Sequence, residues 1–101
     1  MPTSAKPAVS AALAEFGGRV RQRRIELDLS QEGLAEGTAL HWSYIGRVER
    51  GQVNATLHNI LRIADVLEID PGTLLKGLQA PAPEPRPTTA KRRPKAKPTP
   101  S

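Results

Sequence analysis

The stretch Leu29–Gly51, LSQEGLAEGTALHWSYIGRVERG, decides the fold. Ser30 is a residue type that caps helix N-termini through its hydroxyl, and good helix formers follow it. The sequence at 37–39, Gly-Thr-Ala, then interrupts the helical pattern before a second periodic segment begins. This order predicts two short helices, over about 31–36 and 42–50, joined by a tight turn.

The second of these helices has two unlike faces. Ile45 and Val48 lie at helical spacing on one side, with Tyr44 beside them, and predict a buried face. Its opposite face carries residues that a fully buried helix would not show, namely Trp42, Ser43, Gly46, Arg47 and Arg50. Two helices with a steep crossing, the second presenting a polar face, are typical of proteins that bind DNA.

Length and composition exclude most other classes. The chain has 101 residues, enough for one small domain, and no cysteine for a disulfide or thiolate metal site. It has no apolar run approaching the roughly 20 residues that span a bilayer, so we expect no membrane partner and a soluble, cytoplasmic, nucleoid-associated protein. Aromatic residues make up 3% of the chain, which favours an aliphatic, helical core.

The remaining sequence predicts an all-α domain of five helices over 10–78. A first helix is expected over about 11–27, and a fourth, LHNILRIADVLE, follows the capping residue Thr56. The fourth helix is expected to bury one wide apolar stripe, formed by Leu57, Ile60, Leu61, Ala64 and Leu67. Asp70-Pro71 is a start signal for a short fifth helix, and Gly51 is expected as a left-handed cap. Residues 1–9 are predicted to be flexible, and 79–101 disordered.

The positive charge is concentrated at the C-terminal end. Residues 1–79 carry nine basic and nine acidic side chains. In residues 80–101 the single acidic side chain is Glu84, and the six basic ones are Arg86, Lys91, Arg92, Arg93, Lys95 and Lys97. This basic, proline-rich tail is either a solubilising extension or a polycation that binds DNA phosphates without sequence preference. We favour phosphate binding, because a neutral body lacks long-range attraction to DNA.

Two opposite charges lie at the edges of apolar stripes. Arg24 falls between Val20 and Leu27 on the inward side of the first helix, and Glu49 falls four residues after Ile45. A buried charge without a partner costs several kcal/mol, so the pattern predicts an ion pair between them. The alternative is that both side chains turn out to solvent.

The segments VRQRRIELDLSQEGLAE, SYIGRVERG and NATLHNILRIADVLEIDPGTLL together resemble the lambda-repressor-like, Cro-type helix-turn-helix family, also called the xenobiotic-response-element family. The resemblance covers about 60 residues, from Phe16 to Leu75. The chain departs from the family at Ala39, where the turn usually has glycine, and at Gly33 and Gly37, which should make the second helix less rigid.

The resemblance implies a five-helix bundle that binds double-stranded DNA as a two-fold dimer, with the third helix in the major groove. It implies base contacts from Trp42, Ser43 and Arg47, with Gly46 leaving the backbone close to the groove. Trp42 has the alternative of packing against the second helix. The expected phosphate contacts are Gln31, Tyr44, Arg50, Gln52 and Asn54.

The short fifth helix is expected to supply the dimer interface. Its three leucines, Leu74, Leu75 and Leu78, exceed what so short a helix needs to dock on its own domain, so we expect one or two to contact a second copy. The alternative is that all three complete the core of the monomer.

The sequence offers no catalytic arrangement. His41 is expected to act as an N-cap and His58 to lie on the surface, so we predict no metal, no cofactor and no enzymatic activity. The expected function is transcription regulation by a repressor or a restriction-modification controller. The alternatives are an antitoxin with a protein partner, or a protein-interaction module in which Trp42 anchors the partner.

Overall fold

The computed structural model describes residues 7–83, which contain five helices and no strand. The helices are α1 (Ala11–Glu26), α2 (Gln31–Thr38), α3 (Trp42–Glu49), α4 (Leu57–Val66) and α5 (Pro71–Leu75). Each begins after a side chain that accepts a hydrogen bond from a first-turn N–H, and these caps are Ser10, Ser30, His41, Thr56 and Asp70. The prediction of an all-α, five-helix fold is confirmed.

The helix ends share one device, in which a residue in the left-handed region follows the last turn. After α3, Gly51 has φ 73° and its N–H donates to Val48 O at 3.0 Å, while Gln52 N–H donates to Arg47 O at 2.8 Å. This is the Schellman arrangement, and it confirms Gly51 as the predicted left-handed cap. The corresponding residues after the other long helices are not glycines: Asp28 (φ 61°), Ala39 (φ 61°) and Glu68 (φ 54°).

The turn between α2 and α3 therefore holds an alanine in a strained conformation. α2 extends to Thr38, two residues beyond the predicted end, and the Thr38 hydroxyl donates to Leu34 O at 2.8 Å. Ala39 follows in the left-handed region, which costs a non-glycine residue about 1–2 kcal/mol. The family's usual glycine would avoid this strain.

Replacing Ala39 by glycine is expected to stabilise the domain by about 0.5–1 kcal/mol, the strain relieved less the extra chain entropy of glycine in the unfolded state. Thermal melting measures the change. The matched control is Ala14→Gly in helical backbone of α1, which should lower stability instead. An Ala39→Gly chain that melts at or below the wild-type temperature would contradict this account.

The core is aliphatic apart from one phenylalanine. It is formed by Phe16, Val20, Leu34, Ala35, Ile45, Val48, Ile63, Ala64, Leu67 and Leu74. α1 and α3 are in close contact at Gly17, where an added Cβ would lie 2.2 Å from Val48 O. Only glycine fits at this crossing, so the backbone of α3 rests directly on α1.

Two expectations about apolar residues are corrected by the fold. Leu74 is fully buried in the core and cannot belong to a dimer interface; Leu78 is half-buried against the core, and Leu75 stays exposed. On α4, Leu57 and Leu61 were expected on the buried stripe, yet they are 62% and 43% exposed. The helices that pack against α4, namely α2 and α5, therefore leave these two side chains largely uncovered.

The segment before α1 is attached to the residue that follows α3 by one backbone hydrogen bond, in which Val9 N–H donates to Gly51 O at 2.8 Å. Within residues 7–83, no helix is both long and apolar enough to cross a bilayer.

Candidate nucleic-acid interface

The inward side of α3 is held by a buried ion pair. Arg24 Nε lies 2.6 Å from Glu49 Oε2 and Nη2 lies 3.0 Å from Oε1, so the guanidinium and the carboxylate meet in a two-bond fork. The Glu49 side chain is 2% exposed and that of Arg24 11%. The hydrogen bonds to Glu49 raise the pKa of Arg24, so the guanidinium stays charged. The structure thus brings together the two charges that the sequence analysis predicts to form an ion pair.

The same carboxylate engages the start of α2. The side-chain amide of Gln31 donates to Glu49 Oε1 at 3.0 Å, and Arg24 Nη1 donates to Leu29 O at 2.9 Å. Gln31 was predicted to contact a phosphate. Here one N–H of its amide fixes α2 to α3, and the amide nitrogen carries a second N–H that can still be donated. This third member could not be predicted from the sequence, because nothing in the spacing links 31 to 49.

The outward side of α3 presents Arg47 and Trp42. Arg47 is exposed, and its side chain makes no hydrogen bond or ion pair within residues 7–83. Trp42 is 56% exposed, and its ring stacks on His41 with centroids 5.8 Å apart. Both side chains are therefore accessible to a ligand that approaches α3.

Gly46 lies beneath the side chain of Arg50 on the outward side of α3. It is buried, and a Cβ there would lie 3.1 Å from Arg50 Nη1, so the guanidinium of Arg50 lies across it. Arg50 Nε in turn donates to Gln52 Oε1 at 3.1 Å. Arg50 therefore covers the helix near its C-terminal end.

His41 caps α3 as predicted. Its Nδ1 accepts the N–H of Ser43 at 3.1 Å, and Ser43 Oγ lies 2.8 Å from the same nitrogen. Imidazole is an uncommon cap, and it places a second polar ring beside Trp42 at the start of the helix.

Tyr44 is held from α4. Asn59 Nδ2 donates to the Tyr44 hydroxyl oxygen at 3.0 Å, which leaves the phenol proton free to be donated outward. Sequence reasoning missed Asn59, although a polar residue on the half-buried edge of α4 is a signal that it contacts a neighbouring helix. Of the other two predicted phosphate contacts, Asn54 is exposed and Gln52 half-buried in the segment after α3.

The six predicted tail contacts, Arg86, Lys91, Arg92, Arg93, Lys95 and Lys97, lie outside the described residues. Within the described range, no group of three His, Cys, Asp or Glu side chains is placed to hold a metal ion.

The sequence model of the helix-turn-helix family matches residues 20–74, which include α2, α3 and the ion pair. The chain belongs to the helix-turn-helix family. Within this helix-turn-helix protein, the matched residues contain every predicted base and phosphate contact outside the tail. The resemblance drawn from the sequence is confirmed.

The helix-turn-helix protein is similar to several controllers and regulators. It is 44% identical to control protein C.BamHI of Bacillus amyloliquefaciens, over 59% of this chain and 75% of that protein. It resembles the structure of the restriction-modification controller C.AhdI from Aeromonas hydrophila, with 49% identity, a TM-score of 0.63, and coverage of 64% and 98% of the two chains. The biofilm regulator SinR, solved in complex with DNA, has 33% identity, a TM-score of 0.57, and coverage of 59% and 97%.

These relatives show that the helix-turn-helix protein is a DNA-binding regulator. They are regulators and not enzymes, and they give no support to the antitoxin alternative.

Proposed function

We propose that the protein binds double-stranded DNA as a two-fold dimer, with α3 in the major groove, and controls transcription as a repressor or restriction-modification controller. The observation that carries this proposal is the division of α3 into two faces. Its inner face is fixed by a buried ion pair, while the guanidinium of Arg47, which has no partner among residues 7–83, lies outward with Trp42 and Ser43. A rigid helix with a free guanidinium is suited to read base edges.

The side chains around this face have distinct roles in the proposal. Arg47 donates to guanine O6 and N7 through its fork of donors. Residues near the ends of α2 and α3 bind phosphates and set the register of the helix, namely Gln31, Tyr44, Arg50, Gln52 and Asn54. The phenol proton that Asn59 leaves free on Tyr44 is directed to a phosphate oxygen.

Replacing Arg47 by alanine is expected to weaken specific binding by about 1–3 kcal/mol and to relax the preference at one base pair of each half-site. The fold should be unchanged, because the side chain is exposed. Binding sites are first selected from a random DNA pool, and the affinities for selected and single-base-changed sites are then compared.

The matched control is Arg62→Ala, which removes an exposed arginine of α4 with no partner among residues 7–83. Loss of this charge affects all sequences alike and should leave every base preference intact. Retention of wild-type affinity and base preference by Arg47→Ala would contradict the assignment of α3 as the reading helix.

The dimer is proposed to form through apolar side chains of α4 and α5. Leu57, Leu61 and Leu75 are all exposed, and α4 packs against α5 within the domain. Exposed leucines on neighbouring helices favour association of two identical surfaces about a two-fold axis. Half-sites about one turn of DNA apart follow from this symmetry.

Leu61→Glu is expected to turn a dimer into a monomer at micromolar concentration, since it places a charge in the proposed interface. Sedimentation of the full chain measures the change, and circular dichroism checks that helix content is kept. Ile25→Glu is the control, because Ile25 is a similarly exposed apolar residue of α1. A wild-type chain that sediments as a monomer, with no palindrome in its selected sites, would rule out the dimer.

A further inference from the structure

Ser43 alone is a weak reader of DNA. A hydroxyl has one rotatable proton and two lone pairs, so it can donate to guanine or thymine and accept from adenine or cytosine. Discrimination requires that something fix the direction of its proton. The contacts at the start of α3 provide that constraint, because Ser43 Oγ lies 2.8 Å from Nδ1 of His41.

The backbone decides which of these two atoms donates. The N–H of Ser43 points to His41 Nδ1 at 3.1 Å, and an N–H is always a donor. Nδ1 therefore carries a lone pair, and the ring proton is on Nε2. A hydroxyl oxygen 2.8 Å from that lone pair must donate its proton to it, since two lone pairs at that distance repel.

The exposed side of Ser43 consequently has only lone pairs to offer. Ser43 is exposed on the outward face of α3, one residue after Trp42. In the major groove, adenine N6 and cytosine N4 are the base atoms that donate protons. Guanine O6 and N7, adenine N7 and thymine O4 accept, and they find no proton on this hydroxyl.

We infer that His41 is a positioning residue that makes Ser43 a one-way acceptor, so that Ser43 selects an exocyclic amino group of adenine or cytosine at one position of each half-site. This inference rests on the proposed function, because it assumes that α3 lies in the major groove. In this arrangement Ser43 contacts the base, and His41 acts on the base only through Ser43.

The test uses the full chain and DNA sites with single atoms removed. Sites are selected by the wild-type chain, and each adenine or cytosine is then replaced by purine or 2-pyrimidinone, which lack the exocyclic amino group. In a second set of matched sites, 7-deazapurines replace the purines, which removes the N7 acceptor and keeps the amino group. Loss of one amino group should weaken wild-type binding about three- to tenfold at one position per half-site. Ser43→Ala should bind those same modified and unmodified sites equally.

Variants of His41 separate its positioning role from simple capping. His41→Gly keeps a tolerated N-cap but removes the acceptor, so removal of the amino group should then change binding less than about twofold. His41→Asn supplies an acceptor for both the N–H and the hydroxyl, and should restore the wild-type response. The guanine preference assigned to Arg47 is measured in every variant, because its retention shows that α3 is still intact.

Several results overturn the inference. One is a His41→Gly chain that keeps both the guanine preference and the full response to amino-group removal. Another is a Ser43 position that responds to 7-deazapurines and not to loss of the amino group. Both leave the proposed function standing. A wild-type chain that enriches no DNA sequence overturns the proposed function, and the inference with it.

Discussion

Replacing Glu49 by alanine is expected to destabilise the domain by about 3–5 kcal/mol, the range for removing one member of a buried ion pair. The Arg24 side chain is 11% exposed and would keep its charge without the carboxylate that holds it. The amide of Gln31 loses the same acceptor, so the contact between α2 and α3 weakens as well. Small domains are typically stable by about 5–15 kcal/mol, so this loss is a large share of the total.

Chemical denaturation gives the free energy of unfolding for this variant and its controls. Glu15→Ala breaks the exposed Arg19–Glu15 pair on α1 and should change stability by less than about 1 kcal/mol. The double change Arg24→Met with Glu49→Leu should recover part of the loss, because no charge then remains buried. A Glu49→Ala melting curve that overlays the wild type would show that the pair does not stabilise the fold.

Deletion of residues 80–101 is expected to weaken binding to all DNA while leaving the melting temperature unchanged. The segment has a net charge of +5, and its seven prolines in 22 residues predict no packed element. Within residues 7–83, Arg19, Arg23 and Arg24 are in ion pairs with carboxylates. Residues 1–79 carry nine basic and nine acidic side chains and have no net charge, so the tail is expected to supply the long-range attraction to phosphates.

The salt dependence of affinity measures this contribution. Each phosphate contact contributes about −0.9 to the slope of log affinity against log salt, so three to five contacts per chain correspond to roughly 3 to 4.5 units. Specific and random DNA should lose affinity by similar factors. A full-length chain with its six tail cations replaced by serine is the control for length. Equal slopes for the intact and truncated chains would mean that the tail is only solubilising.

The positions of the helices were predictable because their signals are local. Capping residues such as Ser30 and Thr56, and the Asp70-Pro71 start, act within one turn of the helices that they begin. The exposure of Leu57 and Leu61 was not predictable, because it depends on which neighbouring helices cover α4. The burial of Leu74 likewise depends on where α5 docks.

The site was predictable in part for the same reason. Two charges on apolar stripes indicate a pair, because each needs a partner when buried. The third member, Gln31, and the support of Tyr44 by Asn59 arise only when α2, α3 and α4 are packed together. The orientation of the Ser43 hydroxyl depends on one contact at 2.8 Å, and no spacing in a sequence determines that.

Gly37 has a packing role that its effect on helix propensity does not indicate. We expected it to loosen the second helix, since glycine lowers helix stability by about 1 kcal/mol. In the structure an added Cβ would lie 3.0 Å from Val66 Cγ1, so the glycine allows α4 to pack closely against α2. Helix propensity is a local property, whereas this advantage comes from a neighbour 29 positions away along the chain.

The close approach at Gly17 has a consequence for how such a protein can diverge. α3 is located by backbone contact with α1 and by the Glu49 carboxylate, and both lie on its inner side. Trp42, Ser43 and Arg47 take no part in that placement. If these three residues read the operator as proposed, duplicated copies of the gene can exchange them and acquire new operators without refolding, so target choice and fold are free to evolve separately.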